Sequence, residues 1–172
     1  YVSNFKNGAW DEGTLSTDDM VTISECACVL QYAQTVFEGM KAYTTEDGRI
    51  VVFRPDMNAK RFADSARRLE MPVFPEDRFV DAIVQVVKAN AAYVPPYGSG
   101  ASLYIRPYMF GSNPVIGVKQ SRVVSKNVLG ENVRSNRFSN IPRCLCLSAR
   151  LFSERYCRPF RKGEYSYLPA LR

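Results

Sequence analysis

Three groupings of cationic and aromatic residues carry the chemistry this chain could do. Arg61 lies within Phe53–Arg68, where Lys60, Arg67 and Arg68 add further positive charge. A guanidinium forks onto phosphate oxygens, and near a helix N-terminus the macrodipole adds favourable potential. Helical arginines are more often simply solvated, so residue type alone leaves that role open. Tyr32, Phe37 and Gly39 form a Tyr-x4-Phe-Glu-Gly run. Phe37 offers a flat apolar wall, and Gly39 lets backbone approach a ligand closely. A core aromatic ahead of a strand-opening glycine is the plainer reading of that run. Tyr104 and Arg106 stand in Ser102–Pro107 (SLYIRP), where an arginine beside tyrosine hydroxyls could receive a carboxylate. A cross-strand ion pair is the ordinary alternative there.

These residues need elements to hold them. Asn7-Gly8 between Val2–Phe5 and Ala9-Trp10 predicts a two-residue hairpin, because both turn residues tolerate positive φ. Met40–Tyr43 and Ile50–Phe53 flank Glu46-Asp47-Gly48, a second hairpin signal. Asp56 or Asn58 can cap a helix running to about Leu69, with Phe62, Ala66 and Leu69 on one stripe. That start places Arg61 one turn inside the helix. Glu76–Tyr93 shows the strongest helical period, through Phe79, Val80, Ile83, Val84, Val87 and Ala91, and Pro95-Pro96 stops it. Ala101–Phe110 reads as a strand whose Leu103 and Ile105 face one way while Tyr104, Arg106 and Tyr108 face the other. Hairpins, two helices and a return strand predict an α+β two-layer sandwich of mostly antiparallel sheet and helices.

The 172 residues, 46% hydrophobic and 23% charged, suffice for one ordinary globular domain. No apolar run is long enough to cross a bilayer and no secretory signal is visible, so no membrane partner is expected. The net charge of +6 hides a break. Through Val118, 11 Lys/Arg face 14 Asp/Glu, net −3; from Lys119 onward 12 Lys/Arg face three Glu, net +9. The domain division expected is therefore 1–118 and a basic tail of 119–172. Five cysteines, an odd number, suggest a reduced intracellular chain rather than a disulfide scaffold. The two Cys-x-Cys pairs lack the favoured Cys-x2–4-Cys spacing of zinc ligands, so no metal site is read from them. The compartment expected is the cytoplasm, with an organelle left open because the chain starts at Tyr1 rather than Met.

Taken together, Tyr32–Tyr43 (YAQTVFEGMKAY), Phe53–Arg68 (FRPDMNAKRFADSARR) and Tyr93–Val118 with its SLYIRP closely resemble the N-terminal part of branched-chain amino acid aminotransferases, pyridoxal-phosphate enzymes of fold type IV. The resemblance covers residues 1–118. Asn58, Arg61, Phe62, Ser65 and Ala66 match the family's N-x-x-R-[FLM]-x-x-S-A, whose arginine holds the phosphate of pyridoxal 5'-phosphate. The residues matching Tyr32, Phe37 and Gly39 line the substrate side-chain pocket, and those matching Tyr104 and Arg106 contribute to substrate recognition. The resemblance implies transfer of an amino group between leucine, isoleucine or valine and 2-oxoglutarate, in a homodimer. D-amino acid transaminases and aminodeoxychorismate lyases share the fold, and the full motif string fits the branched-chain group better.

The family's covalent cofactor anchor is a lysine far downstream, in a G-T-G-x-x-K-like stretch. Nothing after Lys119 resembles it, so no catalytic residue is assigned and the chain alone is expected to be inactive, its dimer doubtful. Residues 119–172 are expected to be a non-native continuation, from a frameshift or gene-model error, or disordered. Their basic charge interleaved with Phe138, Phe152, Tyr156, Phe160, Tyr165 and Tyr167 offers a competing, non-catalytic reading as a nucleic-acid binder, but no known module is present and nucleic acid is not the favoured partner.

Overall fold

The computed structural model describes residues 1–116 and, as backbone, a strand at 124–129. The expectations for the rest of 117–172, including the proposed discontinuity and the basic-aromatic stretch, lie outside the described residues. The first hairpin forms as its turn chemistry requires: Asn7 and Gly8 take φ of 54° and 86° between β1 (Val2–Lys6) and β2 (Ala9–Trp10). A short helix α1 (Cys28–Tyr32) follows, closed by Ala33 in the left-handed region at φ 51°. Then come β3 (Thr35–Phe37), β4 (Met40–Thr44) and β5 (Ile50–Val52), the helices α2 (Pro55–Arg68) and α3 (Glu76–Ala89), and the long strand β6 (Leu103–Gly111). The backbone of β7 (Val124–Leu129), a strand absent from the sequence reading, lies beyond the charge break and pairs with both β1 and β6.

Every strand pair is antiparallel, in the order β2-β1-β7-β6-β4-β5, with β3 also on β6. The helices cover one face, giving the α+β two-layer arrangement. β3 and β4 are in step along β6: Phe37 lies opposite Tyr108 and Met40 opposite Ile105. Between them Glu38 N–H donates to the Pro107 carbonyl at 2.8 Å, but Pro107 has no N–H to return. The ladder is interrupted there although the strand runs on in register.

The core forms where the two layers meet. Val36, Met40, Ala42, Val52, Leu103, Ile105 and Met109 of the sheet pack against Ala59, Phe62 and Ala66 of α2 and Phe79, Ile83 and Val87 of α3. The Phe62 and Phe79 rings lie 5.2 Å apart, joining the helices. Trp10 ties the first hairpin to the loop between them, its Nε1 donating to the Val73 carbonyl at 2.9 Å.

Two helix boundaries differ from expectation. α2 begins at Pro55, with Arg54 as an N-cap at φ 43° that has no side-chain capping bond. Proline is pre-set for the first helical position, so it starts the helix before Asp56 and Asn58 can cap it. Arg61 is therefore nearly two turns inside, beyond reach of the N-terminal amides. α3 ends at Ala89 with Asn90 as its C-cap, and Ala91–Tyr93 tightens into a 3-10 turn before the prolines.

Candidate functional site

Strand alternation divides the Phe37-Glu38-Gly39 segment between the two faces of the sheet. Glu38 is in phase with Val36, Met40 and Ala42 and so points toward the helices. Phe37 and Gly39 point to the open face, in phase with Tyr104, Arg106 and Tyr108 across β6.

On the open face Arg106 is held by neutral groups. Its Nε and Nη2 both donate to Tyr104 Oη, at 3.0 and 2.6 Å. Its guanidinium carbon lies 4.5 Å from the Phe37 ring centroid and 5.2 Å from that of Tyr104. Cation–π contact fixes the plane of the guanidinium without cancelling its charge. The salt bridges among the described residues do not include Arg106. Phe37 is 60% exposed, so the apolar wall beside this cation is open. At Gly39 the structure adds a steric demand to the role its motif suggests. A Cβ built on it would meet Tyr104 Oη at 2.6 Å, so the glycine makes room for the phenol that holds Arg106. Its φ lies outside the left-handed region, and space alone makes the demand.

On the helix face the arrangement is ionic. Glu38, 6% exposed, accepts from Arg61 Nε at 2.7 Å and Arg61 Nη2 at 2.5 Å. Asn58 Nδ2, one turn earlier on α2, donates to the same carboxylate at 2.8 Å. The hydrogen bonds Arg61 donates to Glu38 and the carboxylate's charge, working against partial burial, hold the guanidinium above its already high range. The Arg61 side chain is nevertheless 63% exposed, and its Nη1 has no partner among the described residues. A fixed guanidinium with an outward Nη1 edge fits a phosphate group.

The structure thus unites Phe37, Gly39, Tyr104 and Arg106 directly, and connects Arg61 to the same segment through Glu38. Tyr32, 41% exposed at the end of α1, makes no hydrogen bond or ring contact with the others among the described residues. Sequence reading assigns Glu38 no chemistry. The usable signal is its phase: a carboxylate on the apolar face of Val36-x-Glu38-x-Met40-x-Ala42 must be paired. Lys41 also escapes the sequence reading. It lies opposite Tyr104 across the β4–β6 pair and adds a second cation to the open face.

No protein-family model matches the chain. It is 49% identical over 119 residues to a branched-chain-amino-acid aminotransferase of Haemophilus influenzae, covering 69% of this chain and 35% of the relative. It is 48% identical over 118 residues to the methionine aminotransferase BCAT4 of Arabidopsis thaliana, covering 68% and 33%. The chain therefore spans about a third of the length of the curated relatives it matches. Among solved structures, the branched-chain aminotransferase of Thermoproteus uzoniensis with norvaline aligns at a TM-score of 0.50 and 23% identity, over 74% of this chain and 40% of that one. A second branched-chain amino acid aminotransferase, from the source abbreviated T.th. and complexed with 4-methylvaleric acid, aligns at 0.50 and 28%, over 72% and 39%. The same enzyme is known with N-(5'-phosphopyridoxyl)-L-glutamate, where the alignment covers the same shares at 28% identity and a TM-score of 0.49.

Proposed function

We propose that this chain, which belongs to the branched-chain amino acid aminotransferases of fold type IV, supplies one side of a transaminase cleft. The reaction would move an amino group between a branched-chain amino acid and 2-oxoglutarate, with pyridoxal 5'-phosphate as the cofactor that carries it. Arg61 would take the phosphate on its outward edge. Arg106, steadied by Tyr104 and Phe37, would take a substrate carboxylate, and Gly39 would keep Tyr104 in place. Tyr32 belongs to the same pocket by its motif and is part of this proposal. None of the described residues is assigned covalent capture of the cofactor.

The observation that carries this reading is the held but charge-uncompensated Arg106 beside an open aromatic wall. A leucine-like side chain would gain about 1.5–3 kcal/mol by full burial against such a wall. The preferred amino acid is left to experiment, since relatives similar over nearly equal lengths of the chain carry both branched-chain and methionine names. We take the partners to be small-molecule amino and 2-oxo acids rather than nucleic acid, and the setting to be intracellular and cytoplasmic. No helix among the described residues is long and apolar enough to cross a membrane. The family homodimer, and the division of the chain at 118/119, are parts of the same proposal.

Calorimetric titration of the 172-residue protein with two probes tests the assignment. Arg61→Ala should weaken pyridoxamine 5'-phosphate binding roughly tenfold or more while leaving 4-methylvaleric acid unaffected, and Arg106→Ala should do the reverse, because each removes charge-assisted bonds to one ligand only. Equal losses for both probes in both variants, or no binding by the unmodified protein, would refute the reading. The 172 residues alone are expected not to transaminate leucine. A visible-edge absorbance after mixing with pyridoxal 5'-phosphate, tied to one lysine and abolished by borohydride, would contradict that expectation.

A further inference from the structure

We propose that Glu38 is the positioning residue for Arg61: its buried carboxylate grips the guanidinium side-on and so presents the Nη1 edge to a phosphate monoester. This rests on the reading of Arg61 as a phosphate anchor and goes beyond it, to what aims that anchor. Glu38 is the one charged residue among the buried polar residues described, and the three hydrogen bonds its carboxylate accepts all come from α2. A buried carboxylate persists only where it is paired and hydrogen-bonded. Asn58 braces Oε2 from one side while Arg61 closes on both oxygens from the other. The geometry of the grip matters. Nε and one Nη2 proton face Glu38, which leaves both Nη1 protons and the second Nη2 proton along the outer edge.

Two physical effects oppose each other, and their balance fixes the sign of the outcome. A negative charge beside a phosphate site lowers anion affinity by Coulomb repulsion. A long, 63% exposed arginine that is already held has less rotamer freedom to lose on binding, which is worth roughly two- to tenfold in affinity. We take positioning as the larger effect because the pairing on both oxygens, with Asn58 behind it, holds the outer edge in one plane.

The test compares Glu38→Gln, Asn58→Ala and Arg61→Ala in the 172-residue protein, after melting curves confirm folding. The probes are pyridoxamine 5'-phosphate, inorganic phosphate and phosphate-free pyridoxamine. Glu38→Gln should bind both phosphate probes roughly three- to tenfold more weakly, with pyridoxamine unchanged, and the slowly exchanging Arg61 Nε–H signal should vanish from nitrogen-15 NMR spectra. Asn58→Ala leaves the Glu38 charge in place, so any weakening there reports positioning alone, and it serves if the glutamine variant does not fold. Unchanged or tighter phosphate binding in these variants overturns the proposal. If Arg61→Ala binds phosphate as well as the parent does, the anchor reading itself fails. Loss in Arg61→Ala together with none in the Glu38 and Asn58 variants sinks the positioning role and leaves the anchor standing.

Discussion

The two faces of the β3–β4 segment handle an arginine in opposite ways. Toward the helices, Arg61 meets a buried carboxylate that takes two of its N–H bonds. On the open face, Arg106 meets a phenol oxygen and two aromatic rings, which fix its geometry and leave its charge whole. The helix-side pair is built into the packing of the domain, so breaking it costs structure as well as binding. The open-face cluster, which we propose as an attachment for ligand, stands outside that packing, and most of its parts can be changed with little effect on the fold. Polarity of the partner decides this: a carboxylate offsets the cation's charge, whereas a π face and a hydroxyl orient it without offsetting the charge.

The widest contrast between the faces should appear with two phenylalanines. Phe62→Ala, on the helix that carries Arg61, removes a 1% exposed ring and should destabilise the domain by about 3–5 kcal/mol in denaturant unfolding. Phe37→Ala, on the open face, should cost under about 1 kcal/mol while loosening Arg106. Comparable losses for the two would mean the open face is part of the core. A middle-sized effect is expected from Gly39→Ala. The added methyl must displace the Tyr104 hydroxyl, at about 1–3 kcal/mol, and 4-methylvaleric acid binding should fall with it. Retention of full binding would show that the phenol is dispensable for aiming Arg106.

The smallest effect concerns pH and a region on neither face. Burial raises the Asp11 carboxyl, but bonds from the Asn4 backbone and from the Ser3 and Asn4 side chains outweigh it, and the net displacement is downward. A carboxyl lowered on folding stabilises above its unfolded value, near 3.9, and that stability is lost as pH falls through the folded value. Melting temperature should therefore drop between pH 5 and pH 3 more in the parent than in Asp11→Asn. Arg61, displaced upward, contributes below its unfolded value and loses that contribution only at extreme alkaline pH. Phosphate binding should accordingly follow the ligand's own ionisation near pH 6, and a protein-derived inflection between pH 7 and 9 would point to another group.

Much of the framework is legible in the sequence because its causes are local. Asn7-Gly8 specifies a turn needing two positive φ angles, and the alternation Leu103, Tyr104, Ile105, Arg106 specifies which residues of β6 face solvent. Pro55 is legible too, yet the capping residues after it outweigh it in a reading by residue type. Glu38 escapes because a glutamate between two strands reads as exposed until the phase of its neighbours is followed. β7 escapes because Ser125, Lys126 and Asn127 give it weak local strand preference, and its pairing with β1 joins residues more than a hundred positions apart.

The chain's order of residues by itself determined the hairpins, the two amphipathic helices and the sharing of one strand face by Tyr104 and Arg106, since periodicity and turn stereochemistry act over a few neighbouring positions. Only tertiary structure decided which arginine would be paired with a carboxylate and which held by neutral groups. Glu38 meets Arg61 across 23 positions because α2 packs on that face of the sheet, and Gly39 admits Tyr104 because β4 lies beside β6 in one register. Electrostatic fate follows proximity in space, and packing sets that proximity.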